Sequence, residues 1–400
     1  MSVGFAGIKG LTYCARRKAY AGVTVFAPME GTGVYMLDML GRVVKHWEMG
    51  YKPGCYGELL PNTHVLYAGR VEDGPLADLE GAGGILLEVD WDGNKVWEYK
   101  DSYLHHGFYR MKNGNTLVLK WVEVPKDIAA NVKGGDTGTE RNGVMWGDVI
   151  QEITPQGKVA WEWIGHEHLD PADNRCLLCP RSTWTHANSV AEMADGNILV
   201  CLTLLNEIAI IDKRSGDIKW RWGAPSDLAR PGFLAHPHCP TVLDNGHILV
   251  FDNGLHPNGI ECGSSVVEVN PENSKEVWGY VRGFFSEQYF FSTTMGSAQR
   301  LPDGNTLICE GIKGRIFEIT SEGELAWEYV NNLPLSETFP AKFRHYPVCA
   351  AFRYGMDYSG LKRSKLAPPE ARQPAMGMPA SSEEKVGEET QKRLAGLGYR

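Results

Sequence analysis

The chain has 400 residues, 43% of them hydrophobic and 22% charged, the balance of an ordinary globular protein. A formal net charge of −9 and the lack of any basic run exclude nucleic acid or an anionic membrane as the main partner. No apolar stretch approaches the roughly 18 residues of a membrane helix, and Met1 to Leu11 is glycine-broken and weakly hydrophobic, so a cytoplasmic protein is expected.

In chain order, one unit recurs six times: an apolar alternation, a turn carrying Gly, Asp or Asn, and a second alternation ending in tryptophan. It reads GVYMLDMLGRVVKHW to Trp47, GILLEVDWDGNKVW to Trp97, DVIQEITPQGKVAW to Trp161, EIAIIDKRSGDIKW to Trp220, SSVVEVNPENSKEVW to Trp278 and GRIFEITSEGELAW to Trp327. The copies end 50, 64, 59, 58 and 49 residues apart. Each is a β-hairpin. Ahead of five of them stands a tight turn feeding a third strand: LPNTHVLY, KNGNTLVL, ADGNILV, DNGHILV and PDGNTLI. A further apolar run precedes each of those turns, which makes four strands per repeat.

This pattern predicts an all-β fold, a single six-bladed β-propeller with four antiparallel strands per blade. The N-terminal run AGVTVFAP has no first strand before it, and HYPVCAAFRY, His345 to Tyr354, is the candidate that closes the ring. The propeller is expected over residues 1–354, and 355–400 as an extended tail with a short helix around Glu383 to Leu397. Two insertions, Lys126 to Gly147 and His166 to Trp184, exceed normal turn length and are candidate functional loops. The repeat tryptophans are expected to pack between neighbouring sheets.

First strands of propeller blades line the axial channel, so their starts converge. In blade order these starts carry Cys55-Tyr56, His105-His106, His186 with Asn188, His236 and His238, Met295 with Ser297, and His345-Tyr346. A single buried histidine is ordinarily a satisfied structural residue. Six of the chain's twelve histidines at equivalent repeat positions mark a site instead. Neutral imidazoles accept protons, attack electrophiles or ligate metals, and the residues by themselves leave that choice open. His166-Glu-His168, near Asp170 and Asp173, reads as a solvated loop, and Phe251-Asp252-Asn253-Gly254 as turn chemistry. Nine cysteines are present; Cys201, Cys309 and Cys349 read as reduced, buried small hydrophobes, and Cys176-Leu-Leu-Cys179 as a candidate metal or redox pair.

Across Gly10 to Tyr354 the chain resembles the arylsulfotransferase family in its short form. The motifs are AGVTVFAP, HHGF with NGNTLVL, WTHANSV with DGNILV, HPHCPTVLDNGHILVFDNG, and RLPDGNTLI with GRIFEIT. The resemblance implies sulfuryl transfer from an aryl sulfate to a phenol, without a cofactor, through a sulfohistidine on His236 or His238. His105 or His106, His186 and Asn188 would support the sulfate oxygens, and the partner would be a small aromatic or anionic substrate. The chain departs from the family at Cys201-Leu202-Thr203 and Ser264-Ser265, where arginines are usual, and at Gly107 and Cys239, where aspartates are usual. These departures keep two other functions in view. One is lyase, isomerase or hydrolase chemistry at Zn or Fe held by His105, His106, His186 and His236 or His238. The other is a non-catalytic ligand-binding propeller.

Overall fold

The hairpins form as the alternation dictates, because every second residue of each strand must be buried. A computed structural model of the chain describes residues 9–173, 175–223, 233–255, 263–280, 290–333, 346–364 and 366. Six antiparallel sheets follow one another. Blade 1 holds Val348–Gly355, Gly22–Pro28, Gly33–Leu37 and Val43–Glu48; blade 2 holds Pro53–Leu59, Val65–Arg70, Gly84–Val89 and Lys95–Lys100. Blade 3 holds Leu104–Arg110, Thr116–Glu123, Trp146–Ile153 and Val159–Ile164; blade 4 holds Ala187–Glu192, Ile198–Leu202, Glu207–Ile211 and Ile218–Gly223. Blade 5 holds Pro237–Val242, Ile248–Asp252, Ser265–Asn270 and Lys275–Tyr280; blade 6 holds Ser297–Arg300, Thr306–Glu310, Arg315–Ile319 and Leu325–Val330. The inner strands touch their neighbours around a closed circle. The protein is a six-bladed β-propeller.

Closure occurs where the sequence placed it. Val348–Gly355 pairs antiparallel with Gly22–Pro28, in register from Gly22 opposite Gly355 to Pro28 opposite Val348. A second closure went unread in the sequence: Gly10–Cys14 adds a fifth strand to the outer edge of blade 6, against Leu325–Val330. That strand is mostly half-exposed, so it lacks the apolar alternation that marks the others. The compact unit also runs past Tyr354, to Ser364. There Tyr358 packs on Tyr354, its hydroxyl donates to Leu59 O at 2.8 Å, and Leu361 is buried. His345 and the expected helix at 383–397 lie outside the described residues.

Five of the six repeat tryptophans tie a blade to the next. Trp47 donates its indole N–H to Trp91 O in the outer turn of blade 2, and Trp97 to Pro155 O in that of blade 3. Trp161 reaches Lys213 O in blade 4, Trp220 reaches Ser274 Oγ in blade 5, and Trp327 reaches Met39 O in blade 1. One hydrogen bond of this kind contributes about 1 kcal/mol; its repetition is what fixes the angle between sheets.

One expectation about cysteine is overturned. Cys349, read as a reduced hydrophobe, forms a disulfide with Cys55 across a sequence separation of 294. Each lies on an inner strand, and the strand bearing Cys349 reaches blade 1 only through ring closure, so spacing along the chain held no trace of the pair.

Candidate functional site

Strands alternate direction within a blade, so the inner-strand starts, the loops between second and third strands and the loops between blades all meet at one end. Three insertions gather there. Loop 71–83 of blade 2 packs Leu76 and Leu79 on Trp121 and Trp146. The insertions flagged in the sequence interlock: Asp136 N donates to Cys179 O, Trp146 N to Ser182 O, and Arg181 to the carbonyls of Ala129, Val132 and Gly134.

Beneath them the histidines of blades 3 and 4 form one cluster. The ring centroids of His105 and His106 lie 4.4 Å apart, those of His105 and His186 5.2 Å, and those of His106 and His186 5.9 Å. Trp121 closes one side at 3.8 Å from His105. His106 Nδ1 donates to Gly81 O at 3.0 Å, which leaves its Nε2 with the lone pair. Gly81 has φ +82°, and a Cβ there would stand 2.7 Å from His106 Nδ1, so glycine is required for this approach.

His236 and His238 diverge. They flank Pro237 at the start of the blade 5 inner strand, where the register shifts between His238 and Thr241. His238 Nδ1 contacts Asn253 Oδ1 at 2.5 Å, while Asn253 Nδ2 donates to Ser292 O at 2.6 Å and Met295 O at 2.7 Å. Those carbonyls can only accept, so Asn253 presents its oxygen to His238, Nδ1 carries the proton and Nε2 carries the lone pair. His236 turns the other way, its Nε2 lying 3.7 Å from Cys179 Sγ. Asn253 belongs to the segment read as turn chemistry; a polar residue ending an apolar strand was the available signal.

Asn188 does not point donors at a ligand, as the sequence reading had it. Its amide nitrogen donates to Thr203 Oγ1 at 2.6 Å and Pro237 O at 2.7 Å, and its Oδ1 is buried without a partner among the described residues. Cys201 Sγ and Thr203 Oγ1 also donate to Pro237 O. Cys201 and Thr203, in one of the two segments where the resemblance puts an arginine, therefore hold the backbone between the two histidines. Gly107 also has a steric reason, since a Cβ there would meet Leu119 Cδ1 at 2.5 Å and Asn188 O at 2.9 Å.

Backbone strain collects at this end. His186, His236 and Met295, each just ahead of an inner strand, have φ of +48°, +60° and +60°, and Cys239 has +45°. Left-handed conformations at non-glycine residues cost on the order of 1 kcal/mol each and cluster at functional sites.

Burial sets the electrostatics. It drives His105 well below the ordinary imidazole value, His106 and His186 to about 3 and His238 to about 4, with neighbouring imidazoles adding to the effect. All four are neutral near pH 7. Asp148 is the opposing group: burial raises its carboxyl to about 7, against hydrogen bonds from Thr185 and Ala187 N. Its Oδ1 lies 3.9 Å from His105 Nε2, and both atoms lack hydrogen-bond partners among the described residues. The sequence reading missed Asp148; the signal was an acid opening the third hairpin unit, directly ahead of the apolar Val149 and Ile150. Arg175 is also buried here, donating to Trp184 O, Cys179 O and Pro180 O, and its charge reaches His186. Burial lowers Arg175 to about 10, so it stays charged near pH 7.

Among the described residues, one group of three brings its ligand atoms within 4.8 Å of one another: Cys176, Cys179 and His236. His105, His106, His186 and His238 do not form such a group, because their rings stack and turn edge-on instead of converging through nitrogen. The HxH of the long loop stands apart, with His168 stacked on Trp163 at 5.2 Å.

Three comparisons bear on this geometry. The arylsulfotransferase (ASST) family model matches residues 73–332. No curated protein matches the chain. Among solved structures, a protein of unknown function from Bacteroides caccae is similar at 14% identity and a TM-score of 0.53, over 83% of this chain and 98% of that one. Streptogramin B lyase is similar at 12% identity and 0.44, over 84% and 86%; virginiamycin B lyase from Staphylococcus aureus at 11% and 0.43, over 81% and 88%. The first of these likenesses bears on the fold alone.

Proposed function

Given that the chain belongs to the arylsulfotransferase family, we propose that it transfers a sulfuryl group from an aryl sulfate to a phenol, with His238 as the nucleophile. The observation that carries the reading is the Asn253 amide, which fixes the proton on Nδ1 and leaves Nε2 as an oriented lone pair at the channel mouth. A depressed basicity keeps that lone pair unprotonated at neutral pH.

In the first step Nε2 bonds to sulfur, and the sulfur–oxygen bond breaks with its electron pair on the leaving aryl oxygen. In the second step the acceptor oxygen bonds to sulfur and the nitrogen–sulfur pair returns to Nε2. Asp148, raised to about 7, supplies the departing oxygen's proton through His105 and takes back the acceptor's once the 3.9 Å between the two side chains closes to a hydrogen bond in the loaded site. Arg175 lends the positive field that an anionic donor needs.

Incubation with p-nitrophenyl sulfate and a phenol tests the reading. Nitrophenol release and a mass gain of one sulfuryl group on the peptide containing His238 are expected. Absence of both would sink it. Asp148→Asn should slow turnover about a hundredfold and remove the pH–rate limb near neutrality, while the first-turnover release of nitrophenol from p-nitrophenyl sulfate, which leaves unassisted, is little affected.

A further inference from the structure

We infer that Cys176, Cys179 and His236 form a zinc site at the rim of the channel, with one coordination position left for water or an anionic oxygen. The assignment stands apart from sulfuryl transfer and holds or fails without it.

The two sulfurs come from one loop and the ring nitrogen from a blade 5 residue far along the chain, and the three ligand atoms lie within 4.8 Å of one another, on three buried residues. Zinc binds thiolate at about 2.3 Å and imidazole at about 2.0 Å, so a tetrahedral ion holds a sulfur and a nitrogen about 3.6 Å apart. Cys179 Sγ and His236 Nε2 are 3.7 Å apart. Two thiolates with an imidazole favour zinc over magnesium or calcium, which take oxygen ligands.

Each ligand is held from behind. Cys176 N donates to Leu204 O, and Cys179 O accepts from Asp136 N and from Arg175 Nη1. Arg175 thus brings a guanidinium against the segment bearing both sulfurs and offsets thiolate charge. His236 is fixed by its own N–H to Asn206 Oδ1 at 2.9 Å, in the left-handed conformation that a β-strand residue would otherwise avoid. Leu177 and Leu178, the two residues between the cysteines, are 66% and 68% exposed, which leaves a short path from solvent to the sulfurs. Among the described residues three ligands converge and a fourth position stays open, the arrangement of reactive zinc centres, whereas structural sites use four.

The test uses the whole protein. After reduction and dialysis against a chelator, zinc is added back, excess is removed and the bound metal is measured by elemental analysis. One zinc per chain is expected, lost in the Cys176→Ser/Cys179→Ser double variant, weakened at least tenfold in His236→Gln, and retained in His168→Gln. Because the variants could fail to fold, the wild-type protein is also titrated with Co²⁺. Thiolate-to-cobalt charge-transfer bands with strong visible d–d bands are expected. Their absence, or full zinc retention in the double cysteine variant, would overturn the assignment. So would a Cys176–Cys179 disulfide whose reduction restores no metal uptake. A zinc-loaded protein that transfers no sulfuryl group would leave this site standing and remove only the reading of His238.

Discussion

The two sides of the channel are built on one repeat and hold opposite contents. Blades 3, 4 and 5 turn His105, His106, His186 and His238 inward, under two interlocked insertions. On the other side the described inner-strand residues Cys55, Tyr56, Cys349 and Ala350 pack with Cys239 and Met295 in one apolar cluster. Tyr56 stacks on Phe108, and a disulfide crosses between blades 1 and 2. The backbone is therefore neutral between plug and site. What differs is whether the residues heading each inner strand bring polar atoms that need partners, and whether a loop arrives to supply them.

That contrast can be broken from either side. The largest effect is expected from His238→Ala, which should lower kcat/KM for sulfuryl transfer at least about a thousandfold with the fold intact, measured by nitrophenol release and circular dichroism. A loss of less than tenfold would move the nucleophile elsewhere. Cys55→Ser with Cys349→Ser should leave the rate within a few-fold and remove about 2–4 kcal/mol of stability, read from urea unfolding. Equal damage to activity would mean that the apolar side shapes the site directly.

Acid should act through the polar side. His106, His186 and His238 have folded values of about 3, 3 and 4, and His105 is also lowered, all below their unfolded 6.5. Between about pH 4 and 6.5 the unfolded chain therefore binds more protons through them, and stability falls as pH falls. Asp148 and Glu58, both raised to about 7, act oppositely over nearly the same window. The four histidines outnumber these two carboxyls, giving a net loss of about 2–3 kcal/mol per pH unit below 6.5. A flat profile in unfolding titrations at pH 5 and 6.5 would mean that the imidazoles are not dry. His186→Gln should shrink the slope by about half. The smallest effect belongs to neither side: Trp97→Phe removes the indole bond to Pro155 O and should cost about 0.5–1.5 kcal/mol with no change in rate.

Blade number, the four-strand repeat and the closing strand were legible because alternation and turn chemistry are local, and six copies corroborate one another. Channel histidines were legible for the same reason, since equal positions in a repeat meet on the axis. Asn253 and Asp148 were not, because their roles depend on which ring nitrogen faces them and how deeply they lie. Asn188 was misread for a related reason: its donors are claimed by Pro237 O, a carbonyl from the next blade.

The sequence by itself determined a six-bladed ring with histidines at its axis, through periodicity that any single blade obeys. Tertiary structure decided the rest. It paired Cys55 with Cys349 across the closure, brought Cys176 and Cys179 to His236, and separated His236 from His238 although only Pro237 lies between them. Such contacts join residues that no spacing relates, and they exist only once six sheets have closed into a circle.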